Sequence, residues 1–407
     1  MTRDAIAVTG LGMVTAGGIG APATWQSLLT GMSTAATDPQ LAGLRQDFSC
    51  RVPGFDPQEL LGKRLAWRLD RATQMALVAA REAVADARLD PGAWTAPRVA
   101  VVMGVGTGSF QHYEREFGHL GSGRPDKVSA LALPRSVPNM VAGELALDLG
   151  AQGPNFVVST ACASGTTALG LARDLLRSHS CDIAIAGGAE SMCFRVPAAC
   201  FAQMGALSRR RHDPAHASRP FDRDRDGFVL GEGSAVLVLE RAAHARARHA
   251  PARALLAGYG ASCDAHHFTA PAPDGRGLAQ AVRSALDDAG MGPQDIDHLN
   301  AHGTSTPHND AAEDRAFRTV FPRPAPVTAL KSVLGHAVGG AGAIEAAATV
   351  LALEHQIIPP TANYDTPDPA MDLDVVHKAP RPTRMSAALS TSSGFGGQNA
   401  ALILTSA

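Results

Sequence analysis

The chain contains no run of about 18 uninterrupted apolar residues, so no membrane span is expected in it. No two of its six cysteines, at 50, 162, 181, 193, 200 and 263, are spaced as C-x-x-C, which removes zinc cages and dithiol redox chemistry from the reading. An excess of one charge is also missing. The 36 Lys and Arg against 38 Asp and Glu give a formal charge of -2, scattered along the chain, so neither a nucleic-acid nor a membrane-surface footprint is read. Aromatic residues are few, at 5%. The N-terminus MTRDAIAVTGLGMVTAGG lacks the long apolar stretch of a secretion signal, since Gly10 and Gly12 break it, and it reads as a buried strand. A chain of 407 residues does not need disulfides, so reduced thiols in a cytoplasm are expected, most of them acting as small buried hydrophobes. The glycine-rich segments GVGTGS and SSGFGGQ lack the lysine of a phosphate loop and the spacing of a dinucleotide fingerprint. Nucleotide binding is therefore not expected, and the run 394–397 is left to turn the backbone sharply near a reacting centre.

What is present is small residues and alternation. There are 41 Gly and long Ala-rich stretches, which suit closely packed helices over strands, and 45% hydrophobic residues permit a large core. Short β-branched runs (IAVTG, VAVVMG, FVVST, DIAIAGG, AVLVLE) alternate with helical patterns near 71–87 and 164–177, which predicts βαβ units and a mostly parallel sheet. Segments also echo one another. VAVVMGVGTGS at 99–109 resembles IDHLNAHGTST at 296–306, and FVVSTACASG with its helix parallels PVTALKSVLGH with a helix at 342–354. GEGSAVLVLE at 231–240 parallels GQNAALILTS at 397–406. The echoes predict two halves of like topology, 1–248 and 249–407, joined near the basic stretch HARARHAPAR at 244–253, a solvated helix end.

In VVSTACASGTTALGLARDLL a β run ends at Thr160, Cys162 follows in a tight turn, and a helix begins within two residues. Such an elbow lifts the side chain above the strand ends and sets it at the positive end of a helix. A thiolate there is expected to be stabilised, lowering a pKa that is ordinarily about 8.5, and a turn amide can hold an oxyanion. Small neighbours Ala161, Ala163, Ser164 and Gly165 leave room around the sulfur. His302 in NAHGTSTPHND and His336 in KSVLGHAVGGAG lie at strand-end turns of the other half, so a shared crevice and covalent catalysis are predicted. A metal site from His302, His308 and Asp310 is a poor alternative without a helical i, i+4 pair. His212 and His216 read as solvent-facing, and His266, His267 and Phe268 open a loop that could border a tunnel.

Five motifs in order, TACASG, DRDGFVLGEGS, NAHGTSTPHND, KSVLGHAVGGAGAIEA and SGFGG, span nearly the whole chain. They resemble the β-ketoacyl-acyl-carrier-protein synthase family of the thiolase superfamily. The resemblance implies an α/β, five-layered αβαβα fold of two similar halves, each with a mixed, mostly parallel sheet, and usually a dimer. It puts the nucleophile on Cys162, the catalytic histidines on His302 and His336, a lysine on Lys331 and its acid partner on Glu345. Phe395 becomes the gating residue that gives a second oxyanion amide, and Asp310 and Glu313 the supporting acids. Thr269, Thr304 and Thr306 would grip a phosphopantetheine arm, while Thr107, Ala161, Pro197 and Phe201 would form the acyl pocket, where the small Thr107 favours a longer or polar chain.

The implied reaction is a decarboxylative Claisen condensation of acyl-Cys162 with malonyl carried on an acyl carrier protein, with no metal or cofactor. A nucleophile at Cys162 separates the chain from non-catalytic chain-length partners, and His336 from starter-type synthases with Asn there. Thr391-Ser392-Ser393 before the glycine loop is more similar to ketosynthases of dissociated (type II) polyketide pathways than to housekeeping enzymes. The alternatives are housekeeping fatty-acid elongation or a non-elongating acyltransferase. The implied partners are the carrier protein and either a second copy or a chain-length-factor-like subunit.

Overall fold

A computed structural model describes residues 5–108 and 110–407. Its frame is ten strands. The first five are β1 (Ile6–Thr15), β2 (Val99–Gly104), β3 (Asn155–Val158), β4 (Ile183–Ser191) and β5 (Glu232–Arg241). The second five are β6 (Ala254–Cys263), β7 (His298–Asn300), β8 (Val327–Thr328), β9 (Ala387–Gly394) and β10 (Gln398–Ser406). They lie in the order β8-β7-β9-β10-β6-β1-β5-β4-β2-β3, with the short strand Gly18–Ile19 attached to β1.

Within each group of five the order is third, second, fourth, fifth, first. The pairings match as well: β2 runs parallel to β3 and β4, β4 antiparallel to β5, and β5 antiparallel to β1. The second group repeats this through β7, β8, β9, β10 and β6. Four strands of each five therefore point one way, the mixed, mostly parallel sheet expected. Each sequence echo falls on equivalent strands, β2 with β7, β3 with β8 and β5 with β10. The groups meet where β1 and β6 pair at Ala7 with Leu255 and Val8 with Ala254.

Six helices cover the strands: α1 (Arg71–Asp86), α2 (Asn139–Leu149), α3 (Ser164–Arg177), α4 (Arg276–Ala289), α5 (Pro307–Val320) and α6 (Ala341–His355). In β2 the alternate residues Val99, Val101 and Met103 pack outward with Met75, Ala79 and Ala83 of α1, while Ala100 and Val102 pack inward with Ala168 and Ala172 of α3. Burial on both faces is why these strands read as continuous apolar runs instead of alternating ones. The inner cluster joins residues of both strand groups to α3 and α6, and α4 and α5 close the far side over Leu299, Leu389 and Ile403. The layers thus run α, β, α, β, α.

Every residue of α6 from Ala341 to Leu353 is buried, as a helix in the middle of a core must be. Small residues let α3 and α6 approach. A Cβ on Gly165 would come within 2.7 Å of the Ala343 amide nitrogen. Both helices begin at the centre of the molecule, where β3 ends and where the turn after His336 closes, and their N-termini converge on one site. Among the described residues no helix is long and apolar enough to cross a membrane.

Candidate active site

The elbow at Cys162 is built by local hydrogen bonds. Ser164 Oγ accepts from Thr160 N (2.9 Å) and donates to the Ala161 carbonyl (2.6 Å), which closes a 3-10 turn over Ala161–Ala163 ahead of α3. Ala161 is held at φ 50°. Cys162 is left 8% exposed, with its own amide and that of Phe395 directed at the sulfur.

His302 follows β7. Its amide and that of Gly303 donate to the two oxygens of Glu313 (2.7 and 2.8 Å), and Thr391 Oγ1 donates to the same carboxylate at 2.9 Å. Behind the ring, Lys331 Nζ lies 3.2 Å from Nδ1, 2.6 Å from the His302 carbonyl and 2.5 Å from Glu345 Oε1. With an ammonium donating to Nδ1, the neutral ring carries its proton on Nε2. His336 is fixed through its backbone, its amide donating to the Val229 carbonyl (2.8 Å) and its carbonyl accepting from Gly231 (3.0 Å). The His336 ring stands edge-on to Phe228 (5.1 Å) and to His302 (5.5 Å, 85°).

Cys162, His302 and His336 line one cavity of about 200 Å³, together with Phe395, Phe201, Thr269, Thr304 and Thr306. Burial of the three side chains decides the electrostatics. Burial, and then the charge of Lys331, hold both imidazoles well below 6.5, so both are neutral near pH 7. The thiol departs from the lowered pKa expected of a helix mouth. Burial pushes Cys162 up to about 12 and Glu190 adds to that, while Lys331 and the two amides oppose without prevailing. At this burial, removing solvent from the thiolate costs more than the helix end returns. The resting nucleophile is a thiol.

Thr304 and Thr306 face each other at 2.9 Å between hydroxyls, and Thr306 caps α5 by accepting from Asn309 N. Asp310 is turned away from the cavity and accepts from Phe221 N (2.9 Å) and Ser305 N (3.2 Å). A metal trio with His302 and His308 therefore does not form, and among the described residues no other cluster could hold one. His212 and His216 are exposed. His266, His267 and Phe268 do not line the cavity. The loop they open does border it, through Thr269, Ala270 and Pro271, and it braces the glycine turn, the Phe268 carbonyl accepting from Gly396 N at 2.8 Å.

Of the four expected acyl-pocket residues only Phe201 lines the cavity, where it packs against Phe228 (5.4 Å) and Phe395 (6.2 Å). Thr107 is exposed beyond β2, Ala161 is the strained residue of the elbow, and Pro197 is buried in the helix Arg195–Gln203. Phe228 and Met204, both in the cavity wall, went unassigned in the sequence, although Phe228 sits inside the motif DRDGFVLGEGS. Glu190 was also missed. Its signal is an acid ending an otherwise apolar strand run, IAIAGGAES. A larger cavity of about 390 Å³ beneath Arg88 and Trp94 shares no residue with the site and contains no cysteine.

A duplicated α/β frame that points a buried thiol and two neutral imidazoles into one cavity defines an acyl-transferring condensing enzyme. The models described as "Beta-ketoacyl synthase, N-terminal domain" and "Beta-ketoacyl synthase, C-terminal domain" match residues 3–245 and 253–365. The chain is 41% identical to the tetracenomycin polyketide synthase ketoacyl synthase alpha subunit of Streptomyces glaucescens, over 99% of this chain and 98% of that protein. It is also 41% identical to 3-oxoacyl-[acyl-carrier-protein] synthase 2 of Synechocystis, with the same coverage. Among solved structures, the ishigamide ketosynthase/chain length factor superposes with a TM-score of 0.94 at 36% identity over the whole of both chains. A type II polyketide carrier protein in complex with its ketosynthase gives 0.92 at 31%, again over the whole of both chains. The chain belongs to the β-ketoacyl synthase family.

Proposed function

We propose that the chain extends an acyl group held on Cys162 by one two-carbon unit from malonyl on an acyl carrier protein, in a type II polyketide pathway or a specialised fatty-acyl one. The observation that carries this reading is a buried thiol sharing one cavity with two imidazoles that are both neutral and 5.5 Å apart.

In the first half-reaction the Cys162 sulfur attacks the carrier thioester. The amides of Cys162 and Phe395 hold the carbonyl oxygen, and the thiol proton ends on the departing arm. In the second, malonyl loses carbon dioxide and the enolate oxygen accepts hydrogen bonds from His302 and His336. The carbanion attacks the acyl carbonyl, and Cys162 leaves and takes up a proton. Decarboxylation supplies the carbanion, so no strong base is required. Each well-placed donor contributes about 3–4 kcal/mol to an oxyanion of this kind.

Lys331, paired with Glu345, fixes the His302 tautomer, and Glu313 with Asp310 supports the loop that carries it. Thr269, Thr304 and Thr306 supply hydroxyls along the route for a phosphopantetheine arm. We read the halves as 1–248 and 249–407, the thiol coming from one and the imidazoles from the other. A second subunit, either a copy of this chain or a chain-length-factor-like partner, fits the open edge of β3 and the exposed Phe117, Leu120, Leu133 and Leu147. The six free thiols support a reducing, cytoplasmic setting.

Equal identity to a 3-oxoacyl-[acyl-carrier-protein] synthase 2 favours fatty-acid elongation as a second reading. Intact-mass analysis after exposure to acyl carriers, coupled to carbon dioxide release from malonyl carrier, tests the function. An adduct on Cys162 with release supports it, and an adduct without release leaves only an acyltransferase. Preference for polyketide over saturated fatty acyl carriers separates the pathways.

A further inference from the structure

Glu190 ends β4 and is 1% exposed, yet no part of the reaction above uses it. Its Oε2 accepts from Gly106 N at 2.7 Å, and the amides of Thr107 and Gly339 also donate to the carboxyl group. Its neighbours are therefore amides, the Thr107 hydroxyl at 3.5 Å and the more remote charge of Asp70. Two of the amides belong to the loop after β2. The third belongs to the turn Val338–Gly340 just beyond His336.

That turn is under strain. Val338 sits at φ 40°, a region a β-branched residue adopts only when its surroundings compel it. The next amide along the chain is one that Glu190 holds.

We infer that Glu190 is a positioning residue of the condensation site: it clasps the loop of Gly106 and Thr107 to the turn after His336 and so fixes that imidazole against Cys162. The inference rests on the decarboxylating reading given above. Glu190 acts through its neighbours and touches no reacting atom. Its charge also reaches the sulfur, where it disfavours the thiolate. Burial raises Glu190 to about 8 and Cys162 to about 12, so the glutamate is ionised wherever the thiol titrates.

Two variants test this. Glu190→Leu keeps the bulk and removes every acceptor, whereas Glu190→Gln keeps an acceptor and removes the charge. The expected result is at least a tenfold fall in kcat for malonyl-carrier decarboxylation in Glu190→Leu with KM unchanged, and recovery of most of that rate in Glu190→Gln. Both variants should alkylate Cys162 with iodoacetamide several-fold faster at pH 9 than the parent. Unchanged kcat in folded Glu190→Leu, or a loss matching only the unfolded fraction, overturns the inference. If the leucine variant does not fold, Glu190→Ala, judged by the same kcat criterion, takes its place. A parent protein that releases no carbon dioxide sinks the decarboxylating reading instead, and the alkylation comparison still judges the effect of Glu190 on the sulfur.

Discussion

The two central helices are entered through turns that correspond residue for residue. Ala161–Ala163 leads into α3 and Val338–Gly340 into α6, both as 3-10 turns, and their first residues lie at φ 50° and 40°. Where the first turn has Cys162, the second has Gly339. A Cβ on Gly339 would come within 2.2 Å of the Gly106 amide nitrogen, so the second helix mouth has no room for any side chain. One mouth presents a sulfur to the cavity. The other is packed against the opposite half, and its chemistry is displaced three residues upstream to His336. Duplicating a fold therefore need not duplicate a site: the spare helix mouth became an anchor for the imidazole.

This contrast can be broken at its strong points first. Cys162→Ala should abolish the acyl adduct and lower turnover at least about a thousandfold, since a covalent route loses its nucleophile. Intact mass and product formation read it. His302→Ala or His336→Ala should cut malonyl decarboxylation by about 100- to 1,000-fold, the usual effect of deleting one oxyanion donor, while the Cys162 adduct still forms. If adduct formation fails as completely as decarboxylation, the imidazoles are not confined to the second half-reaction.

Gly339→Ala should destabilise the fold by about 1–3 kcal/mol through overpacking, seen in denaturant melts, whereas Cys162→Ala should be close to neutral there. The smallest effect concerns pH. Both imidazoles lie below 6.5 because of burial first and Lys331 second, so the acid limb of kcat/KM for decarboxylation should fall below pH 6.5. Removing a positive neighbour favours the imidazolium, so Lys331→Met should move that limb to higher pH, with burial still keeping it under 6.5.

Much of this was legible in the sequence because local chemistry dictated it. The strand echoes survive because β2, β5, β7 and β10 are each buried on both faces and must stay apolar throughout. Cys162, His302 and His336 stood out because small residues crowd the turns that carry them. The ionisation of Cys162 was not legible. A helix mouth is a local feature, but the burial that overrides it comes from side chains such as Met192, Phe228 and Val338, brought together with Cys162 from distant segments. Thr107, Ala161 and Pro197 lie outside the cavity that Cys162 lines, which the sequence pattern alone does not indicate. Glu190 escaped notice since its amide partners lie 83 or more residues away.

The raised pKa of Cys162 bears on how the protein survives its surroundings. Peroxides and diffusible electrophiles react with thiolates, and this sulfur offers them almost none. A thioester delivered on a tether does not depend on that resting population, because it is held against the sulfur long enough for the proton to move during the attack. Selection between a carrier-borne thioester and a diffusible electrophile then lies in delivery as much as in the thiol itself.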